Sequence, residues 1–219
     1  MNVLIVGASR GLGLEFVRQY RDQGARVTAS ARSDAGLAAI EAQGATALRL
    51  DVAAADAAAA WPIGGQSFDV VLFCAGVYGP RTQGLEPPTQ RVFDDVMHAN
   101  ELGAMRLLPQ VQEVLAPGAR LALISSRMGS IGLRESAAGW LYRASKAALN
   151  SVLRDAALVL AGRALCVSLH PGWVRTDMGG AGADLDVQNS VSGMRRLLER
   201  LTPEDHGGFF DHEGRPLAW

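Results

Sequence analysis

Tyr142 and Lys146 stand four residues apart within 139–160, a stretch whose pattern reads as a helix. On a helix both side chains leave one face, about 6 Å apart along the axis. A phenol that protonates a developing alkoxide near neutral pH needs its pKa brought well below about 10. An ammonium about 4 Å away, at an effective dielectric near 20, favours phenolate by about 4 kcal/mol, or roughly three pKa units. That spacing therefore predicts an acid/base tyrosine tuned to about 7. Of the 21 basic residues, Lys146 alone is a lysine, which points to work that a guanidinium does badly. The bland alternative is an ordinary solvated pair on a helix surface.

Ser125 and Ser126 follow an apolar run, 120–125, at the end where open α/β sheets place their ligands. A hydroxyl there is able to hold a substrate oxygen beside Tyr142, or the serines simply end the strand. Upstream, Gly7-Ala8-Ser9-Arg10-Gly11-Leu12-Gly13 joins the first apolar run to the first helical stretch. Glycines let such a turn approach a pyrophosphate, and the following helix N-terminus supplies free N–H groups and a positive dipole end.

The same turn contains G-x-S-x-G, the nucleophile elbow of serine hydrolases. Only six residues precede Gly7, too few for an oxyanion-hole loop, and the partner histidine would have to be His206 or His212. A phosphate loop of the GK[ST] kind is excluded because no lysine follows the last glycine. The dinucleotide reading is preferred. The nucleotide follows from the end of the second strand, where NAD sites carry an acid for the ribose 2′-hydroxyl. Here Ser30-Ala31-Arg32-Ser33 has none before Asp34, and Arg10 sits in the glycine turn. Two guanidiniums suit a 2′-phosphate, so NADP(H) is expected.

Short β-branched or apolar runs alternate with amphipathic stretches. Strands are predicted over 3–6, 26–31, 46–50, 68–74, 120–125 and 165–170, with a short last one over 208–211. Helices are predicted over 11–23, 34–43, 53–61, 89–115, 139–160 and 187–201. This alternation implies an α/β fold, a Rossmann-like doubly wound parallel sheet covered by helices on both faces, as one domain over 1–219.

A net charge of −1 with dispersed arginines argues against nucleic-acid binding. Cys74 and Cys166 each sit in an apolar run and read as reduced core thiols. The apolar stretch at 3–6 is too short for a signal peptide or membrane span, so a cytoplasmic protein without membrane association is expected. No metal site is expected.

The ordered set Gly7-x3-Gly11-x-Gly13, Cys74-Ala75-Gly76, Asn100, Ser126, Tyr142-x3-Lys146 and Pro171-Gly172 resembles the short-chain dehydrogenase/reductase family along essentially the whole chain. The segments 125–132, 142–148 and 170–178 further resemble its short C-factor/sniffer-like branch. The resemblance implies that Tyr142 is the acid/base, Lys146 the ribose clamp and phenol activator, and Ser126 the hydroxyl that positions the carbonyl. It implies that Asn100 holds a water linking Lys146 to solvent. Ser9, Leu12 and the other residues of the glycine turn would meet the cofactor, Asp51 and Val52 would flank the adenine, and Val174 and Thr176 the nicotinamide amide. Two positions depart from the pattern: Val6 replaces the usual threonine, and Phe73-Cys74 replaces Asn-Asn, losing a side chain that helps lock the central strands.

Substrate contacts are expected from 128–138, from 78–81 and from the segment after Pro171, with Trp140, Trp173 and Met178 as an apolar wall. The Gly179–Gly182 run suits a mobile lid or a loose surface loop. Apolar residues on more than one face of the Tyr142 helix imply a homo-oligomer, a dimer or tetramer. Two functions fit: an enzyme interconverting an aldehyde, ketone or quinone with its alcohol using NADP(H), or a cofactor-binding regulatory protein with little turnover.

Overall fold

The computed structural model describes residues 1–59 and 61–219. Seven strands form one sheet: β1 (Asn2–Val6), β2 (Arg26–Ala31), β3 (Thr46–Arg49), β4 (Phe68–Phe73), β5 (Leu115–Ile124), β6 (Ala164–His170) and β7 (Gly208–Asp211). Their order is β3-β2-β1-β4-β5-β6-β7, and every ladder is parallel. The helices are α1 (Gly11–Asp22), α2 (Asp34–Glu41), α3 (Gln90–Met97), α4 (Gly103–Val111), α5 (Trp140–Val159) and α6 (Val187–Arg200). The order reverses between β1 and β4, and open α/β sheets bind ligands at such a switch point, beyond the carboxyl ends of the strands.

Strand alternation feeds two cores. From β1, Val3 and Ile5 join Phe16, Val17 and Tyr20 of α1 and Met194 and Leu197 of α6. Leu4 and Val6 point the other way, toward Leu107 and Val111 of α4 and Leu149 and Leu153 of α5. Successive side chains of a strand face opposite sides, so a run apolar at every position demands cover on both. The same geometry places α5, with Tyr142 and Lys146, flat against the sheet beside the switch point.

Three expectations need correction. The predicted helix over 53–61 is a series of turns across its described residues, with Ala54 N bonding Asp51 O and Ala57 N bonding Ala54 O; residue 60 of that prediction lies outside the described residues. Alanine propensity is a weak prior, and this stretch follows the cofactor edge rather than packing as a helix. The predicted helix over 89–115 is interrupted by a π-helical turn, His98–Leu102, and closes with a 3₁₀ turn before Leu115. β5 therefore starts at Leu115, earlier than expected, pairing with Phe68 and then shifting register before Val70 pairs with Arg120. No helix among the described residues is long and apolar enough to cross a membrane.

Candidate active site

A cleft of about 1190 Å³ opens over the carboxyl ends of β1, β2 and β4. The glycine turn lines it with Gly7, Ser9, Arg10, Gly11, Leu12 and Gly13, while Ala8 is buried beneath. Gly7 has φ +86°, and a Cβ there would lie 2.6 Å from the Ala75 backbone; at Gly13 it would lie 2.1 Å from the Gly7 carbonyl oxygen. Only residues without Cβ allow this turn to fold so tightly, which leaves the N-terminal amides of α1 turned toward the cleft. Opposite, Asp51, Val52, Cys74, Ala75, Gly76 and Thr176 complete the wall.

The substitutions at Val6 and Cys74 do not leave the central strands unlocked. Cys74 N and Ala75 N both donate to Val6 O, at 2.8 and 3.0 Å, and Gly7 N donates to the Ser30 hydroxyl at 3.0 Å. These bonds join β4 and β2 to β1 beside the glycine turn. Both cysteines are free thiols.

The two arginines expected at a 2′-phosphate differ in place. Arg10 spans the cleft mouth and pairs with Asp177 at 3.0 Å, both side chains about three-quarters exposed. A pair so exposed is worth less than about 1 kcal/mol, so it tethers the guanidinium only loosely. Arg32 lines the cleft, and among the described residues its guanidinium has no hydrogen-bonding or ion-pairing partner. Asp34, the first acid after β2, forms an exposed ion pair with Arg49. The end of β2 therefore presents the Arg32 cation to the cleft, with the following carboxylate turned to Arg49.

Beside this cleft lie Ser126, Tyr142 and Lys146, all buried; Lys146 is 4% exposed and Tyr142 7%. Ser126 follows β5 and caps the 3₁₀ turn Arg127–Gly129, its hydroxyl accepting from Met128 N at 3.1 Å and lying near enough to the Tyr142 phenol to lower its pKa. Lys146 Nζ donates to Ile124 O at 2.9 Å and lies 5.8 Å from the centroid of the Tyr142 ring. Gly76 makes room for this: a Cβ there would lie 3.3 Å from Lys146 Nζ and 3.1 Å from Asn100 Oδ1. Ser125 is buried behind them with its hydroxyl 3.5 Å from Lys146 O.

Electrostatics here run against the sequence expectation. Burial pushes the Tyr142 phenol up to about 12, the Ser126 hydrogen bond opposes that, and Tyr78 adds to it. Burial pulls Lys146 down to about 8, with Cys74 acting in the opposite sense. The ammonium points at a main-chain carbonyl rather than the phenol oxygen, and both groups have lost water. Desolvation therefore outweighs the single attraction that the spacing suggested.

Asn100 lies in the π-helical turn, a feature that aims one side chain out of helical register. Its amide donates both protons, to Val77 O and Ser145 Oγ at 2.8 Å each, and Oδ1 accepts from Val77 N at 2.7 Å. The side chain is a brace between the loop after β4 and α5, so a water held by Asn100 would sit on its main chain. Pro171, Gly172 and Val174 do not line the cleft; Val174 is buried and bridges to Leu185, and Pro171 O accepts from Ser190 Oγ. Of the two histidines that the hydrolase reading of Ser9 would need, His206 is engaged by Cys166 N and Ala157 O.

Sequence reasoning missed Ser145 and Gly129. Ser145 is fully buried, donates to Tyr142 O at 2.9 Å and receives Asn100. Gly129 packs on Lys146, where a Cβ would lie 2.8 Å from the carbonyl carbon. Ser145 lies one residue before Lys146, but nothing in its type or spacing marked Asn100 as its partner.

With fold and site in view, comparison with known proteins is informative. Residues 1–184 match the family model for short chain dehydrogenases. This chain belongs to the short-chain dehydrogenase family. Within it, the C-signal protein of Myxococcus xanthus is 42% identical over 123 residues, covering 55% of this chain and 74% of that protein. An NADP-bound short-chain dehydrogenase/reductase from Burkholderia multivorans superposes with a TM-score of 0.89 at 31% identity, covering 100% and 99% of the two chains. The carbonyl reductase Sniffer of D. melanogaster gives 0.85 at 29% identity, with the same coverage. As a short-chain dehydrogenase, the chain has the expected parallel sheet.

Proposed function

We propose that this protein interconverts a carbonyl compound (an aldehyde, ketone or quinone) and its alcohol by hydride transfer with NADP(H). The observation that carries this is the meeting of Ser126, Tyr142 and Lys146 beside a cleft floored by the glycine turn. The NADP-bound and carbonyl-reductase neighbours support the same reading.

The residues present fit the cofactor. Gly7 and Gly13 leave the turn open to a diphosphate, and Gly11 faces only Thr176, 3.5 Å from where its Cβ would be. Arg32 would take the 2′-phosphate, with Asp34 held off by Arg49. NADPH bound there would supply the hydride. Tyr142, kept neutral by burial, gives its proton to the alkoxide oxygen as charge develops. The Ser126 hydroxyl orients that oxygen, and the Lys146 ammonium stabilises the phenolate left behind. Asn100 keeps α5 registered against the loop after β4.

The test is NADPH consumption over a carbonyl panel, comparing wild type with Tyr142→Phe. Turnover by the wild type and its loss in the variant are expected. If both bind NADPH equally and neither turns over, the protein is a cofactor-binding regulator instead. We also place it in the cytoplasm as a homo-oligomer, in line with the exposed Leu158 and Val159 near the end of α5; light scattering on the purified protein checks its assembly.

A further inference from the structure

Tyr78 lies in the 77–88 stretch between β4 and α3. Its ring stacks on that of Tyr142, with centroids 4.6 Å apart and planes 23° from parallel. The Arg81 guanidinium lies over the Tyr78 ring, 5.0 Å from its centroid. Arg81 is itself anchored, donating from Nη2 to Met178 O at 2.7 Å in the segment after β6. The stretch is also tied to the start of α5, where Gly139 N donates to Thr82 O at 2.9 Å and Trp140 Nε1 to Glu86 O at 3.0 Å. Gly139 has φ +67°, and a Cβ there would lie 2.4 Å from the Tyr78 hydroxyl. Tyr78 is thus boxed between the catalytic helix and a cation.

α5 fixes the backbone of Tyr142 but not the plane of its ring. That plane depends on what packs against the phenol, and aromatic stacking prefers a narrow range of geometries. We infer that Tyr78, backed by Arg81, is a positioning residue for the reaction: it holds the Tyr142 ring so that the hydroxyl stays at Ser126. Because Arg81 hangs on Met178 O, this hold also depends on the 172–182 segment lying against the 77–88 stretch. The inference rests on Tyr142 being the acid. Misplacing a reacting group by about 1 Å costs up to about 10²-fold in rate, so a loosened ring should register in kcat.

The groups facing Tyr142 are Lys146 from its own helix, the neutral hydroxyl of Ser126, and Tyr78 with Arg81 behind it. Taking away the Tyr78 ring admits water to the phenol and removes a neighbour that raises its pKa. Tyr142 should then lose its proton at lower pH.

The experiment compares Tyr78→Leu, Tyr78→Phe and Arg81→Met in the full chain. Readouts are kcat against KM at saturating NADPH, NADPH binding by fluorescence, the alkaline limb of the pH profile, and tyrosinate absorbance relative to Tyr142→Phe. Tyr78→Leu is expected to lose about tenfold in kcat with NADPH affinity within about twofold. Its tyrosinate signal should move down by about one pH unit, while the alkaline limb follows Lys146 in both proteins. Tyr78→Phe keeps the ring and should stay within about twofold of wild type, with Arg81→Met between the two. Unchanged kcat and tyrosinate signal in Tyr78→Leu overturn the inference. So does a parallel loss of kcat, NADPH binding and melting temperature that Tyr78→Phe fails to restore. If Tyr142→Phe is inactive while Tyr78→Leu is normal, only this inference falls; if Tyr142→Phe is fully active, the functional reading falls with it.

Discussion

Arg49, the last residue of β3, is ion-paired with Asp34, the first residue of α2, and also donates to Arg32 O at 3.0 Å. One side chain thus pairs with the first acid after β2 and holds the backbone of the arginine expected to read the 2′-phosphate.

Cofactor choice should respond to both residues. Arg32→Ala removes a charge-assisted contact, so the preference for NADPH over NADH should fall by about tenfold or more. Arg49→Ala uncovers Asp34 without touching the phosphate, and a smaller loss of a few-fold is expected because the pair is exposed. Ratios of kcat/KM for the two nucleotides decide it; an unchanged ratio in Arg32→Ala would show that the 2′-phosphate is read elsewhere.

Tyr142→Phe keeps the ring and its stacking on Tyr78 but removes the proton donor. The expected loss is about 10²–10⁴-fold in kcat with NADPH binding retained. Single-turnover kinetics with pre-bound NADPH would expose any residual transfer. A variant within tenfold of wild type would rule out Tyr142 as the acid.

Lys146 is charged at a cost. Its pKa is lowered from 10.5 to about 8 by burial, so the folded state binds the proton less tightly than the unfolded chain does. Stability should therefore rise as pH increases from about 8 toward 10.5, as that cost disappears. Lys146→Met should stabilise the cofactor-free protein near pH 7 by up to about 3 kcal/mol while abolishing activity. Its advantage in urea unfolding should shrink above pH 8. A variant less stable than wild type at every pH would contradict the burial cost.

The 3₁₀ turn Arg127–Gly129 carries the loop that starts at Ser126 onto α5. At Gly129 a Cβ would lie 2.9 Å from Lys146 Cβ and from Lys146 O. Gly129→Ala should push the loop away, at about 1–3 kcal/mol in stability, and separate Ser126 from Tyr142. We expect kcat to fall more than NADPH affinity. A fully active, equally stable Gly129→Ala protein would mean that this contact yields freely.

Much of this protein was determined by sequence alone. Continuous apolar runs alternating with amphipathic stretches specified a parallel sheet covered on both faces, because each strand face must be buried. Tyr142-x3-Lys146 placed two groups on one side of a helix because helical geometry leaves no other option. The glycines marked a tight turn, in which a Cβ fits at neither Gly7 nor Gly13. What only tertiary structure decided is the environment of those groups. Burial of Tyr142 and Lys146 reversed the expected direction of the phenol shift, since desolvation depends on everything packed around a group and not on its helical neighbour. Arg10 turned to Asp177, Asn100 became a brace to Ser145, and Tyr78 came to rest on Tyr142 across 64 positions of chain. Contacts between such distant positions carry no local pattern. They exist because the sheet order brings the loops after β4, β5 and β6 to one edge.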